Sequence, residues 1–219
     1  TRDAPRARRA FPLGILSAIW LCLGPSHAWP DRPRGGRSDA PAALDQRAAL
    51  NRSETAVAEA RASGDLRSEA EGLLAAGRAH LALANLPASV TALSESLRLY
   101  RSLGDPLAEA TVLDLRGTVG LALANTEDAR EDFTRALVLR RQTGDRPGEA
   151  QTLSNLGLLM ASMDDDEAAL EYDEQAWQLF RTLGNRRAEA TVLHNLAEIY
   201  LRLGDGGRAL QYGRMALGL

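Results

Sequence analysis

Three histidines, a single cysteine and one run of four acids are the groups in this 219-residue sequence that invite a chemical reading. The histidines are His27, His80 and His194, and no two of them stand at the short spacing a zinc site needs. Cys22, the only thiol, lies inside an apolar stretch, so a cysteine–histidine nucleophile would vanish with that stretch if it were removed. Asp164-Asp165-Asp166-Glu167 resembles the start of a calcium loop. Such a loop alternates oxygen donors, turns on a central glycine and ends on a glutamate at its twelfth position, whereas Ala168 and Ala169 follow here. The run reads better as carboxylates capping a helix N-terminus and complementing its dipole. Gly204-Asp205-Gly206-Gly207 lacks the preceding strand of a phosphate cradle and reads as a turn. Asn51-Arg52-Ser53 fits a glycosylation sequon, a three-residue signal that matters only in a eukaryotic secretory pathway. All 26 basic residues are arginine, which removes Schiff-base chemistry and the phosphate-binding lysine. No metal, no cofactor and no catalytic group is expected.

What remains is the elements themselves. Aromatics are 5% of the chain and the apolar residues are mostly Ala and Leu, which favours helix and disfavours an all-β fold. A net charge of −3 supplies no field for a phosphate backbone, so nucleic acid is not an expected partner. The first residues are organised differently from the rest. Arg2, Arg6, Arg8 and Arg9 precede an apolar run from Phe11 to Leu23, followed by the small-x-small tract Ser26-His27-Ala28. That is the grammar of a secretory signal over residues 1–28, with export to the periplasm or outside, and the run is too short to span a bilayer as a helix. Stable membrane insertion after cleavage is therefore not expected. Pro, Gly, Arg and Asp dominate residues 29–42, which read as a flexible linker.

From residue 43 onward a repeat takes over. Ser63-Gly-Asp-Leu-Arg-Ser-Glu-Ala70, Leu103-Gly-Asp-Pro-Leu-Ala-Glu-Ala110, Thr143-Gly-Asp-Arg-Pro-Gly-Glu-Ala150 and Leu183-Gly-Asn-Arg-Arg-Ala-Glu-Ala190 recur at a period of forty. Self-similarity at that period signals stacked units, each burying its apolar face on its neighbours. Glycine ends one helix in the left-handed conformation, and the Asp or Asn after it caps the next. A second polar position at Asn85, Asn125, Asp165 and Asp205 divides each unit into two helices. Helices are predicted near 43–62, 66–83, 86–102, 106–123, 126–142, 146–163, 166–182, 186–203 and 206–217, with the pattern expected to run on past Leu219.

Within this frame Leu153, Leu156, Gly157, Ala169 and Ala176 stand at signature spacings of the tetratricopeptide repeat family, which the sequence resembles. Leu193, Leu196, Ala197, Tyr200, Ala209 and Ala216 repeat the pattern. The unit before them keeps Leu113, Gly117, Ala129, Phe133 and Ala136 but carries Arg116 where leucine is expected, and the first unit substitutes Ser89 and Ser96. The forty-residue period resembles arrays in bacterial regulators and in exported proteins that end in a caspase-like CHAT peptidase domain. The resemblance implies an all-α, right-handed superhelical solenoid of helical hairpins with the first helix of each unit lining the inner face. His80 then falls at a core position, and Arg78, Asp114, Arg116, Ser154, Asn155, His194, Asn195 and Glu198 become candidate peptide-groove residues. Asn155 and Asn195 carry amides that both donate and accept, as gripping an extended backbone requires. The function expected is an exported, non-catalytic scaffold that binds a peptide or protein segment. The alternative is the recruiting arm of a CHAT peptidase.

Overall fold

The computed structural model describes residues 40–219, with side chains from Leu44 onward. The expected export signal, and the linker up to Asp39, lie outside the described residues. Among the described residues nine α-helices follow one another: α1 (Ala40–Ser63), α2 (Leu66–Ala82), α3 (Leu86–Leu103), α4 (Pro106–Ala122), α5 (Thr126–Thr143), α6 (Arg146–Ser162), α7 (Asp166–Thr182), α8 (Arg186–Arg202) and α9 (Gly206–Leu217). No strand occurs among the described residues, and the fold is an all-α helical repeat solenoid.

The helix ends fall where capping chemistry puts them. Asp105, Asp145 and Asn185 accept hydrogen bonds from the backbone N–H groups of Ala108, Gly148 and Ala188, each three residues on. Asp65 accepts from both Arg67 and Ser68. Gly104 and Gly144 end α3 and α5 at φ of 64° and 73°, a region that costs an alanine about 1–2 kcal/mol. The turns inside the hairpins are less ideal, because Ala84, Ala124 and Asp164 take positive φ without being glycine. Asn85 and Asn125 make no side-chain cap, whereas Asp165 and Asp205 do.

Two layers result. The first helices α2, α4, α6 and α8 touch one another in succession, while the second helices have no comparable mutual contact, so the first helices form the inner layer. The first three hairpins close through a very near approach of their helices. A Cβ placed on Gly77 would stand 2.6 Å from Leu93 Cδ2, and one on Gly117 would stand 2.7 Å from Phe133 Cε1. Glycine there is the seat that receives the large residue of the partner helix, and both Leu93 and Phe133 are fully buried. Ser89 and Ser96, which replace alanines of the repeat, donate to the α2 carbonyls of Gly77 and Ala70 at 2.8 Å, so their hydroxyls cost the core no unpaired group.

Overpacking a seat is expected to be costly. Gly117→Ala should destabilise the protein by about 1–3 kcal/mol in denaturant unfolding. Pairing it with Phe133→Leu, which reproduces the smaller occupant of the first hairpin, should recover part of that loss, whereas strict additivity would contradict the seat.

Candidate functional site: the inner face and its buried polar centre

The inner layer does not offer its residues evenly. At one end α2 exposes Glu71 and Arg78, with Leu74 half-buried between them. At the other end α8 exposes His194 and Leu201 and half-exposes Thr191 and Glu198, with His194 Nε2 3.4 Å from Glu198 Oε1. The middle is closed. Asp114, Thr118, Ser154 and Asn155 are buried where α4 and α6 lie flank to flank, and Asn195 is also buried. Asn155 Oδ1 accepts from Gln151 Nε2 at 3.2 Å, one turn earlier on its own helix. The two asparagines therefore sit in the floor of the face, while Gln151 and Leu158 stand higher.

Arg116 turns the other way. It forms a two-pronged pair with Asp132 of α5, Nε to Oδ2 at 2.7 Å and Nη2 to Oδ1 at 2.5 Å. It lines a cavity of about 1020 Å³ that opens between α3 and α5 on the outer side, together with Leu113, Gly120 and Val138. An arginine at the leucine position of the repeat thus finds its counter-charge within the same hairpin. His80 is half-buried and lines a cavity between α1 and α3 with Leu73 and Ala76, its Nδ1 buried without a hydrogen-bond partner.

Asp114 explains why the centre is closed. Its Oδ2 accepts from Arg140 Nε at 2.9 Å and from Nη2 at 2.6 Å, and its Oδ1 accepts from the Thr152 hydroxyl at 2.9 Å. Arg140 also pairs with Asp145, the residue that caps α6. Arg140 stands forty residues from Tyr100 and from Phe180, both buried, so a guanidinium occupies an aromatic slot of the repeat. Gly148 makes the room, because a Cβ there would collide with the guanidinium. Burial pushes the Asp114 carboxyl up to about 6 against the pull of Arg140 and Thr152. Through these contacts Asp114 ties α4, α5 and α6 together.

A second set of polar contacts joins successive hairpins and lies in columns of the repeat that the functional reading of the sequence passed over. Arg61, Arg101 and Arg141 reach Glu69, Glu109 and Glu149 at 2.7, 3.0 and 2.8 Å, each pair eight residues apart and each recurring at forty. At the fourth junction Arg181 lies over the Trp177 ring instead, and Trp177 Nε1 donates to Glu189 at 3.1 Å. Burial works to raise Glu149, and Arg141 with Arg146 overcomes it, holding that carboxyl below its ordinary range. The arginines are half-exposed, so each pair contributes modestly, about 0–1 kcal/mol.

The acidic run behaves as a helix start: Asp165 caps α7 through Ala168 N–H, and Asp166 pairs with Arg202 of α8. Among the described residues no group of three or more His, Cys, Asp or Glu could hold a metal ion, and no helix is long and apolar enough to cross a membrane.

Residues 108–182 match the tetratricopeptide repeat. No curated protein matches the sequence. Among solved structures the chain is similar to a Rap protein complexed with competence and sporulation factor, at 17% identity and a TM-score of 0.70 over 80% of this chain and 50% of that one. It is similar to a putative kinesin light chain with TPR-like repeats from Podosopora anserina, at 15% identity and a TM-score of 0.66 over 93% of each chain. It is also similar to the Rap conjugation gene regulator of the plasmid pLS20 in complex with the Phr* peptide, at 13% identity and a TM-score of 0.61 over 88% of this chain and 59% of that one. The chain thus spans half to three fifths of the two Rap proteins.

Breaking the buried centre should be visible in stability. Arg140→Met strands Asp114 without its counter-charge and is expected to cost about 3–5 kcal/mol. Combining Arg140→Tyr with Asp114→Leu, the residues that stand at these positions in the preceding unit, should restore most of it in the same unfolding measurement.

Proposed function

The chain carries tetratricopeptide repeats over residues 108–182, and from that premise we propose that it is a non-catalytic scaffold whose inner face binds an extended peptide or protein segment. One observation carries the reading: the first helices form a continuous inner layer whose two ends present charged and polar groups, the exposed Glu71 and Arg78 on α2 and the exposed His194 with the half-exposed Glu198 on α8. The Phr* peptide held by the pLS20 regulator, which shares this fold, supports the same choice of ligand. The closed middle shapes the mode of binding. A segment crosses over Asp114, Ser154 and Asn155, is held at its ends by charge, and meets Leu158 and Leu201 with its apolar side chains. Export belongs to this proposal as well, supported by the arginine-rich start and the apolar run that follows it.

Selection of binders from a random peptide library supplies the probe. For a selected peptide, Arg78→Glu and Glu198→Arg should each weaken binding at least tenfold in a fluorescence anisotropy titration, with helicity by circular dichroism unchanged. Charge-assisted contacts at exposed positions should also weaken as salt rises. Binding that survives both changes and is lost on Glu95→Arg or Arg135→Glu would move the site to the outer helices and overturn the proposal.

A further inference from the structure

The third hairpin breaks the rule that closes the first two. Its seat is Gly157, and a Cβ there would stand 2.6 Å from Oδ1 of Asp173. Asp173 lies forty residues after Phe133 and eighty after Leu93, so a carboxyl occupies the place of the core side chain. It is 1% exposed, and Ala169 and Ala176, one turn to either side on α7, are fully buried. Neither carboxyl oxygen has a hydrogen-bond partner. A buried acid is ordinarily paired, because an unpaired one carries the full cost of leaving water.

No charged group of the surrounding elements pairs with Asp173, Glu171 and Glu174 of its own helix included. On α6, Glu149 is held by Arg141 and Arg146. On α8, Glu189 accepts from Trp177, His194 lies against Glu198, and Arg202 is bound to Asp166. On α7 itself, Arg181 covers Trp177, and on α9 Arg208 covers Tyr200. None of them acts on Asp173, whose carboxyl is raised well above its ordinary value of 3.8 by burial alone.

We propose that Asp173 makes the third hairpin a proton-gated joint: protonated, the carboxyl lets α6 and α7 close on Gly157 as the apolar hairpins close, and ionised, it drives that crossing open to water. The ligand of the site is the proton, and the moving part is the hairpin that carries Ser154, Asn155 and Leu158 of the inner face. The sign follows from linkage. The folded state holds this proton more tightly than the unfolded chain does, so closure is complete near and below pH 3.8 and weakens as pH rises towards the folded-state value.

Amide hydrogen exchange, corrected for the intrinsic rate at each pH, reads the joint directly in the full protein. Protection across 146–182 relative to 66–103 should fall as pH is raised from about 5 to 8, by up to about tenfold per unit. Asp173→Asn, which keeps the shape and loses the charge, should flatten that profile. Asp173→Leu, which copies the first hairpin, should flatten it and raise protection at pH 8. A profile already flat in the unaltered protein would overturn the joint, as would a slope that persists in both variants or one shared equally by α2 and α3. Failure of Asp173→Leu to fold would refute the claim that the seat accepts an apolar occupant.

Discussion

The near approach of two helices at a glycine is the constraint on which the array depends. Gly77 and Gly117 let α2 and α4 come close enough to α3 and α5 for Leu93 and Phe133 to be fully enclosed. A hairpin of about seventeen-residue helices is marginal by itself, and it gains its stability by burying one stripe within the pair and another on the next pair. The glycine fixes the first of these. The capping carboxylates set where the next helix begins, and the arginine–glutamate contacts bridge the junctions. With both set, the first helices have to lie side by side and an inner face follows.

Onto that frame the sequence places charges where the repeat elsewhere has apolar residues. Arg140 stands in an aromatic slot and Asp114 beneath it, Arg116 stands in a leucine slot and reaches Asp132, and Asp173 stands in the slot of Phe133. Of these four, only Asp173 has no partner. Buried pairs of this kind are weak contributors to stability and strong penalties when broken, so they hold a particular arrangement of helices more than they deepen the well. The Asp114–Arg140 pair lies at the closed middle of the inner layer, while the Arg116–Asp132 pair lies on the outer side.

Helix positions were legible in the sequence because glycine followed by Asp or Asn punctuates it every forty residues; from α2 onward each predicted end lies within one residue of the observed one. Among the described residues the first helix already includes Ala40, three residues before the predicted 43. The inner face was legible only in part. Spacing along one helix shows which side a residue takes; Arg78 and His194 are exposed there and Glu198 half-exposed. It does not show what a neighbouring helix lays across that side, and so it could not show Arg140 covering Asp114 or α4 and α6 enclosing Asn155. The junction pairs and Asp173 were present in the aligned columns. The signature spacing marks residues that fit the repeat, whereas Asp173 carries information by departing from it.

The placement of recognition on the inner face is tested most directly by amide chemical-shift mapping of the protein with a library-selected peptide bound. The account predicts the largest shifts along α2 around Arg78 and along α8 around His194 and Glu198, with α3 and α5 little changed. Shifts concentrated instead on α3 and α5, around the outer cavity that holds Arg116 and Asp132, would contradict it.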